Sequence, residues 1–452
     1  MDQWAGVVLA GGLGMRMKSR LPKVLHRVCG RELIRYPVEL LRQAGIQRTV
    51  VVLSSENSTA VRRLIGEGVE YATQPAALGT ADALACAAGL LRGRAQHLLV
   101  LGGDSPLVHA ETVLRLIASH VAESSDMTLL TANAASARDL GRVVRDALGR
   151  IVAIVEAPDR EETPDSPGEI NGGVYSFQAP WLWNNLERIE PSPSGERYLT
   201  SLAAIGSARG SSIQAVVSSD PWELQGVNDR RQLAQVEAVQ RQRIRDRWML
   251  AGVTMLDPSS VFIDADVALG QDTILLPNTM LLGRTVIGEG CEIGPGSIIR
   301  DSKLGRGCRA TASMLEEATM EDNSDIGPFS HLRSGAYLET GVHIGNFVEV
   351  KDSRLCSGVL MGHFGYVGDA SIGANVNLGA GMVTCNYDGE NKHRTIIEAG
   401  AFIGCDTMLV APVTIGAEAV TGAGAVVLED VPPGRLAVGV PAKIKEIRPK
   451  AG

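Results

Sequence analysis

Short aliphatic runs alternate with amphipathic stretches through the first half of the chain. GVVLAGG (6–12), TVVVLSS (49–55), HLLVLGGD (97–104) and DMTLLTAN (126–133) have the length and apolar density of buried strands. Between them, residues 33–44, 81–91 and 111–120 read as helices. That order predicts an α/β domain over residues 1–228, its mainly parallel sheet covered by helices. Residues 229–251 contain neither Pro nor Gly and are rich in helix formers. They predict a solvated linker helix of about 33 Å.

From residue 252 the period changes to six. Ile287, Ile293 and Ile299 share one register, and Ile326, Leu332, Leu338, Ile344 and Val350 hold another without a gap. Ile372 with Leu378 follows, then Ile403, Leu409, Ile415 and Val427, with Thr421 as the one off-type residue. Neither the helical nor the strand period selects six. The hexapeptide β-helix does: each hexad supplies a short strand and a turn, its aliphatic residue points inward, and three hexads close one triangular coil. Residues 252–452 are therefore expected to form a parallel β-helix. The register slips around His363 and breaks after Leu378, where 382–399 fit no hexads. Such departures from repetition commonly build sites.

Composition narrows the function. A net charge of −8 gives no general affinity for nucleic acid, so any phosphate must be gripped locally. The seven cysteines are scattered, without metal-site spacing, and the opening MDQWAGVVLAGG lacks a basic leader. No apolar run approaches the roughly 20 residues of a membrane span. A cytoplasmic protein with no membrane insertion is expected.

The first strand ends in LAGGLGMRM, followed by Leu21-Pro22-Lys23. Gly11, Gly12 and Gly14 permit a tight turn whose amides face phosphate oxygens at the carboxyl end of a strand. Met17 stands where a dinucleotide fingerprint needs a small residue, and the Gly-Lys-Ser/Thr of a Walker loop is absent. Arg16 and Lys23 add a guanidinium fork and a point charge suited to a triphosphate, although either is also an ordinary surface cation. Asp104, closing HLLVLGGD, is a natural magnesium ligand beside phosphates, or else a cap for the turn at Ser105-Pro106.

With LPKVLH, QPAALGTADA, the stretch at Glu156, EINGG and GVNDRRQL, these residues resemble the sugar-1-phosphate nucleotidyltransferases. More specifically, the chain is similar to the bifunctional UDP-N-acetylglucosamine pyrophosphorylase / glucosamine-1-phosphate N-acetyltransferase family. The resemblance implies a Rossmann-like nucleotidyltransferase domain ahead of a left-handed β-helix, serving peptidoglycan and lipopolysaccharide precursor synthesis. By that resemblance UTP lies along Leu9, Gly11, Gly12 and Gly14. Arg16 holds the β,γ-phosphates and Lys23 the phosphates during displacement. Gln74, Gly79 and Thr80 read uracil. Gly141, Glu156 and Asn171 hold N-acetylglucosamine-1-phosphate, and Asp104 and Asn228 bind Mg²⁺. In-line attack of a sugar phosphate on the α-phosphorus of UTP needs no nucleophilic side chain, only positioning and charge neutralisation. Leu13, Met15 and Gly102 depart from the pattern, standing where relatives have a basic residue, a hydroxyl residue and a tyrosine.

The second half carries unusual polar content in HLRSG, FVEVKDSRL, GHFGYVGDA and CNYDGENK. Arg333 and Lys351 lie one full coil apart and are expected to stack about 4.8 Å apart at the backbone. Their repulsion, about 3 kcal/mol at an effective dielectric near 20, is relieved by splaying into water or by a bound phosphate dianion. His363 is either a hydrogen-bonded structural histidine or a general base. Only the free amine of an amino sugar attacks a thioester, and a neutral imidazole suits that proton transfer. Glu349 is expected to orient it.

The same family resemblance implies His363 as base and Arg333, Lys351, Tyr366, Asn377, Asn386 and Lys392 around glucosamine-1-phosphate. Ala380, Asn386, Tyr387, Cys405 and Ala423 would line the acetyl-CoA groove, Asn386 serving both ligands. It also implies a homotrimer with acetyl sites between subunits. Cys405 and Val440 depart from a serine and an arginine of relatives, leaving Lys443 or Lys445 for the CoA phosphates. Two rival readings are a single-activity nucleotidyltransferase with a structural or regulatory β-helix, and a non-enzymatic scaffold with decayed sites. The first predicts no base and sugar-phosphate cluster; the second predicts loss of Lys23 or Asp104.

Overall fold

A computed structural model of the chain describes residues 3–134, 140–157, 168–193 and 195–446, so the end of the C-terminal tail lies outside the described residues. The chain divides into two compact units, Met1–Gln240 and Arg241–Gly452.

The first unit is built on a nine-stranded sheet. Its elements begin with β1 (Trp4–Ala10), α1 (Arg35–Gln43), β2 (Arg48–Ser54), α2 (Ser58–Ile65), β3 (Glu70–Gln74) and α3 (Thr80–Cys86). There follow β4 (His97–Gly102), α4 (Ala110–Ala122), β5 (Met127–Ala134), β6 (Arg142–Arg145) and β7 (Ile151–Val155). The unit continues with β8 (Gly168–Gln178), α5 (Ala179–Leu186), α6 (Ser201–Ser207) and β9 (Ile213–Ser218). The main path runs β9-β5-β8-β4-β1-β2-β3, with β6 and β7 paired off β8.

The unbroken apolar runs of β1, β2 and β4 follow from helices on both faces of the sheet. Val7, Val50, Val52, Leu98 and Val100 enter one core with α3 and α5. Their neighbours Val8, Val51, Leu53, Leu99 and Leu101 enter another with α1 and α4. A strand buried on both faces has no polar positions to alternate with. The expected parallel order holds across β3, β2, β1 and β4 and again between β9 and β5. The sequence pattern did not reveal β8, which inserts antiparallel between β4 and β5. Its register shifts between Asn171 and Tyr175, and that irregularity hides its alternation.

The expected linker is α7 (Arg230–Leu250), within which the division between units falls. Asp229 starts it by accepting the amides of Arg231 and Gln232 at 2.8 and 2.9 Å. The helix is less solvated than its composition predicts. Val236 and Ile244 are buried, the Glu237 carboxylate accepts the Cys29 amide at 2.7 Å, and Arg245 donates to Pro258 O at 2.8 Å.

The second unit is a left-handed β-helix of hexapeptide repeats, with three faces of 12, 10 and 9 short strands. Coil stacks on coil in parallel: Ile326 against Ile344, Leu332 against Val350, Leu338 against Leu355. The inward aliphatics are almost wholly buried. Thr421 fits an inward slot because its hydroxyl accepts the Gly404 amide at 2.9 Å and meets the Thr407 hydroxyl at 2.9 Å.

The register slip is not at His363, which lies within an intact hexad between the buried residues Met361 and Val367. It lies at two corners tightened by left-handed residues, Asp352 (φ 43°) and Asp369 (φ 50°), each of which drops one residue from its hexad. The later break is a true excursion. Thr384 still points inward, the next inward residue is Ile397, and the bridge between Tyr387 and Lys392 closes the loop between them.

Candidate active sites

In the first unit, the glycine turn leaves the carboxyl end of β1 and its fit depends on missing side chains. A Cβ on Gly11 would stand 2.4 Å from Gln74 Oε1, and one on Gly14 (φ 64°) 2.6 Å from Lys23 Cβ. The turn is thereby pressed against Gln74 on one side and Lys23 on the other. Gln74 donates to Gly79 O at 3.1 Å and to Asp82 at 2.9 Å, fixing the loop that begins α3. Gly79 (φ 104°) admits the Arg197 backbone, and Thr80 Oγ1 accepts the Leu199 amide at 2.9 Å. Leu9 accepts the Gly103 amide at 2.8 Å, joining the ends of β1 and β4.

The Lys23 ammonium meets oxygens from two distant segments. It pairs with the Asp104 carboxylate and donates to Asn228 Oδ1 at 3.1 Å. Lys23 and Asp104 are mostly buried, and the Asp104 carbonyl accepts the Val227 amide at 3.1 Å, which ties the Asn228 segment beside it. Two hard oxygens facing one cation suit Mg²⁺, which takes few protein ligands and completes its shell with phosphates and water. The residues present therefore fit the ion. Arg16 is exposed on the short turn Met15–Met17. Gly102 leaves space that a side chain would take from Asp104, whose Oδ1 lies 2.6 Å from the added Cβ.

The three residues expected to hold the sugar are also joined. The Gly141 carbonyl accepts the Asn171 amide at 2.8 Å, and a Cβ on Gly141 would lie 3.5 Å from Glu156 Oε2. Thr200 donates to Glu156 at 2.7 Å, and Asn171 donates to the buried Tyr175 hydroxyl at 2.7 Å. Burial, and then the Glu156 charge, push the Tyr175 phenol well above its ordinary value, so it stays neutral. Neither Thr200 nor Tyr175 is visible to pattern reading, since each acts only through the fold.

In the β-helix, His363 stands at a corner between two faces. On one side lies a groove of about 700 Å³ lined by His363, Asn377, Ala380, Cys405 and Ala423 among others. Its corner is made of Gly379-Ala380, Gly404-Cys405 and Gly422-Ala423 on successive coils. Added Cβ atoms on Gly379 and Gly404 would meet the next coil's backbone at 2.7 and 2.5 Å, so only minimal side chains leave the groove open. His343 also lines it, held by Asp325 at 2.9 Å, and was not anticipated.

The other face carries the cationic cluster. Arg333 and Lys351 stack on neighbouring coils, as the register of Leu332 against Val350 requires. Their repulsion is relieved by carboxylates: Arg333 by Glu349 at 2.7 Å, Lys351 by Asp369 at 3.8 Å. Glu349, expected to orient His363, lies opposite His331 on the strand and accepts from Arg333 through Oε1. Asp369, which follows Gly368, the residue paired with Lys351 on the next coil, was missed. Asn386 donates to Asp369 and, at 3.4 Å, to the Tyr366 hydroxyl. Tyr387 and Lys392 are exposed on the excursion. Asp388 stiffens that loop by accepting the amides of Asn391 and Glu390 at 2.7 and 2.8 Å and pairing with His393. These contacts, the Asn391 amide foremost, hold its carboxyl well below the usual range. Val440, Lys443 and Lys445 are exposed on the C-terminal hairpin.

Known proteins are similar to the chain in both halves. The nucleotidyl transferase family matches residues 5–226, and the bacterial transferase hexapeptide (six repeats) family matches 266–301. The bifunctional protein GlmU of Heliobacterium modesticaldum is 43% identical over 439 residues, covering 97% of this chain and 96% of its own. That of Trichlorobacter lovleyi is 42% identical over 437 residues, covering 96% and 95%. The GlmU of Shouchella clausii is 40% identical over 433 residues, with the same coverage. Similarity at this level over nearly the full length, with the Lys23, Asp104 and Asn228 cluster in one half and a grooved β-helix in the other, leads to one conclusion: the chain belongs to the GlmU family of bifunctional proteins, a nucleotidyl transferase half followed by a hexapeptide transferase half.

Proposed function

We propose that the β-helix acetylates glucosamine-1-phosphate with acetyl-CoA and that the first unit couples the product to UTP, giving UDP-N-acetylglucosamine and pyrophosphate. The observation that supports this most is the presence of two separately built sites in one chain. Lys23, Asp104 and Asn228 converge in the first. His363, Asn377, Ala380, Cys405 and Ala423 share the groove of the second. A single-activity enzyme or a decayed scaffold has no need of both.

In the first site the sugar phosphate oxygen attacks the α-phosphorus of UTP. A P–O bond forms, the bond to the bridging oxygen of the β-phosphate breaks, and pyrophosphate leaves. Lys23 neutralises phosphate charge during that displacement, and Gly11, Gly12 and Gly14 give the triphosphate access to backbone amides. Arg16 reaches the outer phosphates from its exposed turn. Gln74, Gly79 and Thr80 form the base-reading edge, and Gly141, Glu156 and Asn171 the sugar-reading one. Asp104 and Asn228 hold Mg²⁺, which when bound supplies further neutralisation of phosphate oxygens.

In the second site the imidazole of His363 takes a proton from the substrate amine as its nitrogen bonds to the thioester carbonyl carbon. The C–S bond then breaks and CoA leaves, regaining a proton as its free thiol. Arg333, Lys351, Tyr366 and Asn377 hold the sugar phosphate. Ala380, Asn386, Tyr387, Cys405 and Ala423 hold acetyl-CoA. The account includes a homotrimer: Phe329, Phe347 and Phe364, more than half exposed on successive coils at the corner carrying His363, form an apolar ladder suited to a second copy. Sedimentation at three chain masses is expected; a monomer would exclude it. Action in the cytoplasm is part of the proposal, supported by the scattered spacing of the seven cysteines along the chain.

The test supplies glucosamine-1-phosphate, acetyl-CoA, UTP and Mg²⁺ together and follows thiol and pyrophosphate. Both are expected to rise, pyrophosphate only when acetyl-CoA is present. Thiol without pyrophosphate, or pyrophosphate regardless of acetyl-CoA, would contradict the paired reactions.

A further inference from the structure

We propose that Asp369 is a positioning residue of the acetyl site, joining the group that holds the sugar phosphate to the group that holds acetyl-CoA. The proposal rests on the functional reading above. Asp369 follows the strand Gly365–Gly368 and turns the corner into Ala370–Ile372. One carboxylate oxygen faces the Lys351 ammonium at 3.8 Å, and the other accepts the side-chain amide of Asn386. Lys351 belongs to the preceding coil and Asn386 to the following one, so one side chain spans three successive turns of the prism.

An aspartate at a β-helix corner has an ordinary structural role, and Asp301 shows it. Asp301 occupies the same corner on an earlier coil, with a left-handed backbone (φ 47°) and its amide on Leu282 O at 3.2 Å. Its carboxylate accepts the backbone amide of Arg284 at 2.8 Å, closing the turn beneath it. Asp369 has the same backbone (φ 50°) and the equivalent bond to Lys351 O at 3.1 Å. Among the described residues, however, its carboxylate takes no backbone amide. Its oxygens go to two side chains instead, and with only 14% of the side chain exposed it has little water to substitute for them.

Asn386 is itself 8% exposed and leans on the Tyr366 hydroxyl at 3.4 Å. It opens the excursion that presents Tyr387. Asp369 therefore anchors the root of that loop to the Lys351 side chain. A carboxylate beside Lys351 has a second consequence, since it partly offsets the charge that attracts phosphate. The two roles predict opposite shifts in sugar-phosphate affinity. Asn386 makes a direct hydrogen bond to Asp369 whereas the Lys351 ammonium stands at 3.8 Å, beyond hydrogen-bond distance, which favours anchoring over charge offset.

The test is steady-state acetyl transfer by the full chain carrying Asp369→Ala or the isosteric Asp369→Asn. Losing a charge-assisted contact is expected to raise the KM for glucosamine-1-phosphate and for acetyl-CoA together, each about tenfold in the alanine variant. The kcat is expected to change less, and uridylyl transfer not at all. Asp369→Ala and Asn386→Ala should be strongly non-additive, a result that a remote structural effect would not give. If the alanine variant fails to fold, the asparagine variant decides. Unchanged KM values, a lower KM for the sugar phosphate, or additive effects would overturn the assignment while leaving the wild-type reaction intact. Absence of acetylation by the wild-type chain would instead overturn the reading on which it rests.

Discussion

Asn228 lies 205 positions after Lys23 in sequence, yet its side-chain carbonyl accepts from the same ammonium that Asp104 pairs with. That convergence was legible only through family resemblance, because spacing along a chain does not say which loops meet. Reading the rungs of the β-helix went further, since a fixed coil length makes Arg333 and Lys351 neighbours from numbering alone. It did not reach the Arg333–Glu349 and Lys351–Asp369 contacts, which depend on which way each side chain leans across the rung. Cys405 gives a residue-scale prediction. It is the exposed thiol among the seven, and it lies in the groove proposed for acetyl-CoA. Maleimide is expected to label it first and to abolish acetyl transfer, with acetyl-CoA slowing both effects and uridylyl transfer unchanged. Labelling at Cys405 that leaves acetylation intact would remove it from the groove's working part.

At the scale of elements, the doubly buried strands and the hexads were readable because each has a strong period. The strand β8 was not, since its bulge interrupts alternation at Asn171, a residue of the candidate site. A prediction at this scale concerns the contact among β4, α4 and β5. His97 at the start of β4 stacks on Trp4 at 4.9 Å, and its ring nitrogen meets that of His120 on α4 at 3.3 Å. His120 also bonds the Thr128 hydroxyl of β5 at 3.0 Å. Burial, and then the neighbouring His97, depress His120 from 6.5 to about 4. A histidine depressed in the folded state binds its proton more readily when unfolded, so acid favours unfolding. Stability should be complete above pH 6.5, fall between 6.5 and about 4, and level off below. The full loss is about 3 kcal/mol. Thermal melts across that window are expected to show the first unit weakening more steeply in the wild type than in His120→Asn. Identical slopes would show that the imidazole does not control it.

At the scale of the molecule, two architectures with unrelated periods share one chain, and α7 contributes packed residues to each unit. The sequence pattern distinguished the halves because a change of period is a property of long segments and survives local irregularity. What each half does depends on a few side chains, and there the pattern reached only as far as the residue types it could match. The central claim is that the two chemistries reside in different units and depend on different residues. It is tested most directly by preparing Lys23→Ala and His363→Ala as full-length chains and measuring thiol release and pyrophosphate release on each, with each site given its own substrates. Lys23→Ala is expected to lose pyrophosphate release by about a hundredfold or more while keeping acetylation, and His363→Ala to show the reverse. Equal loss of both activities in either correctly folded variant would contradict the account.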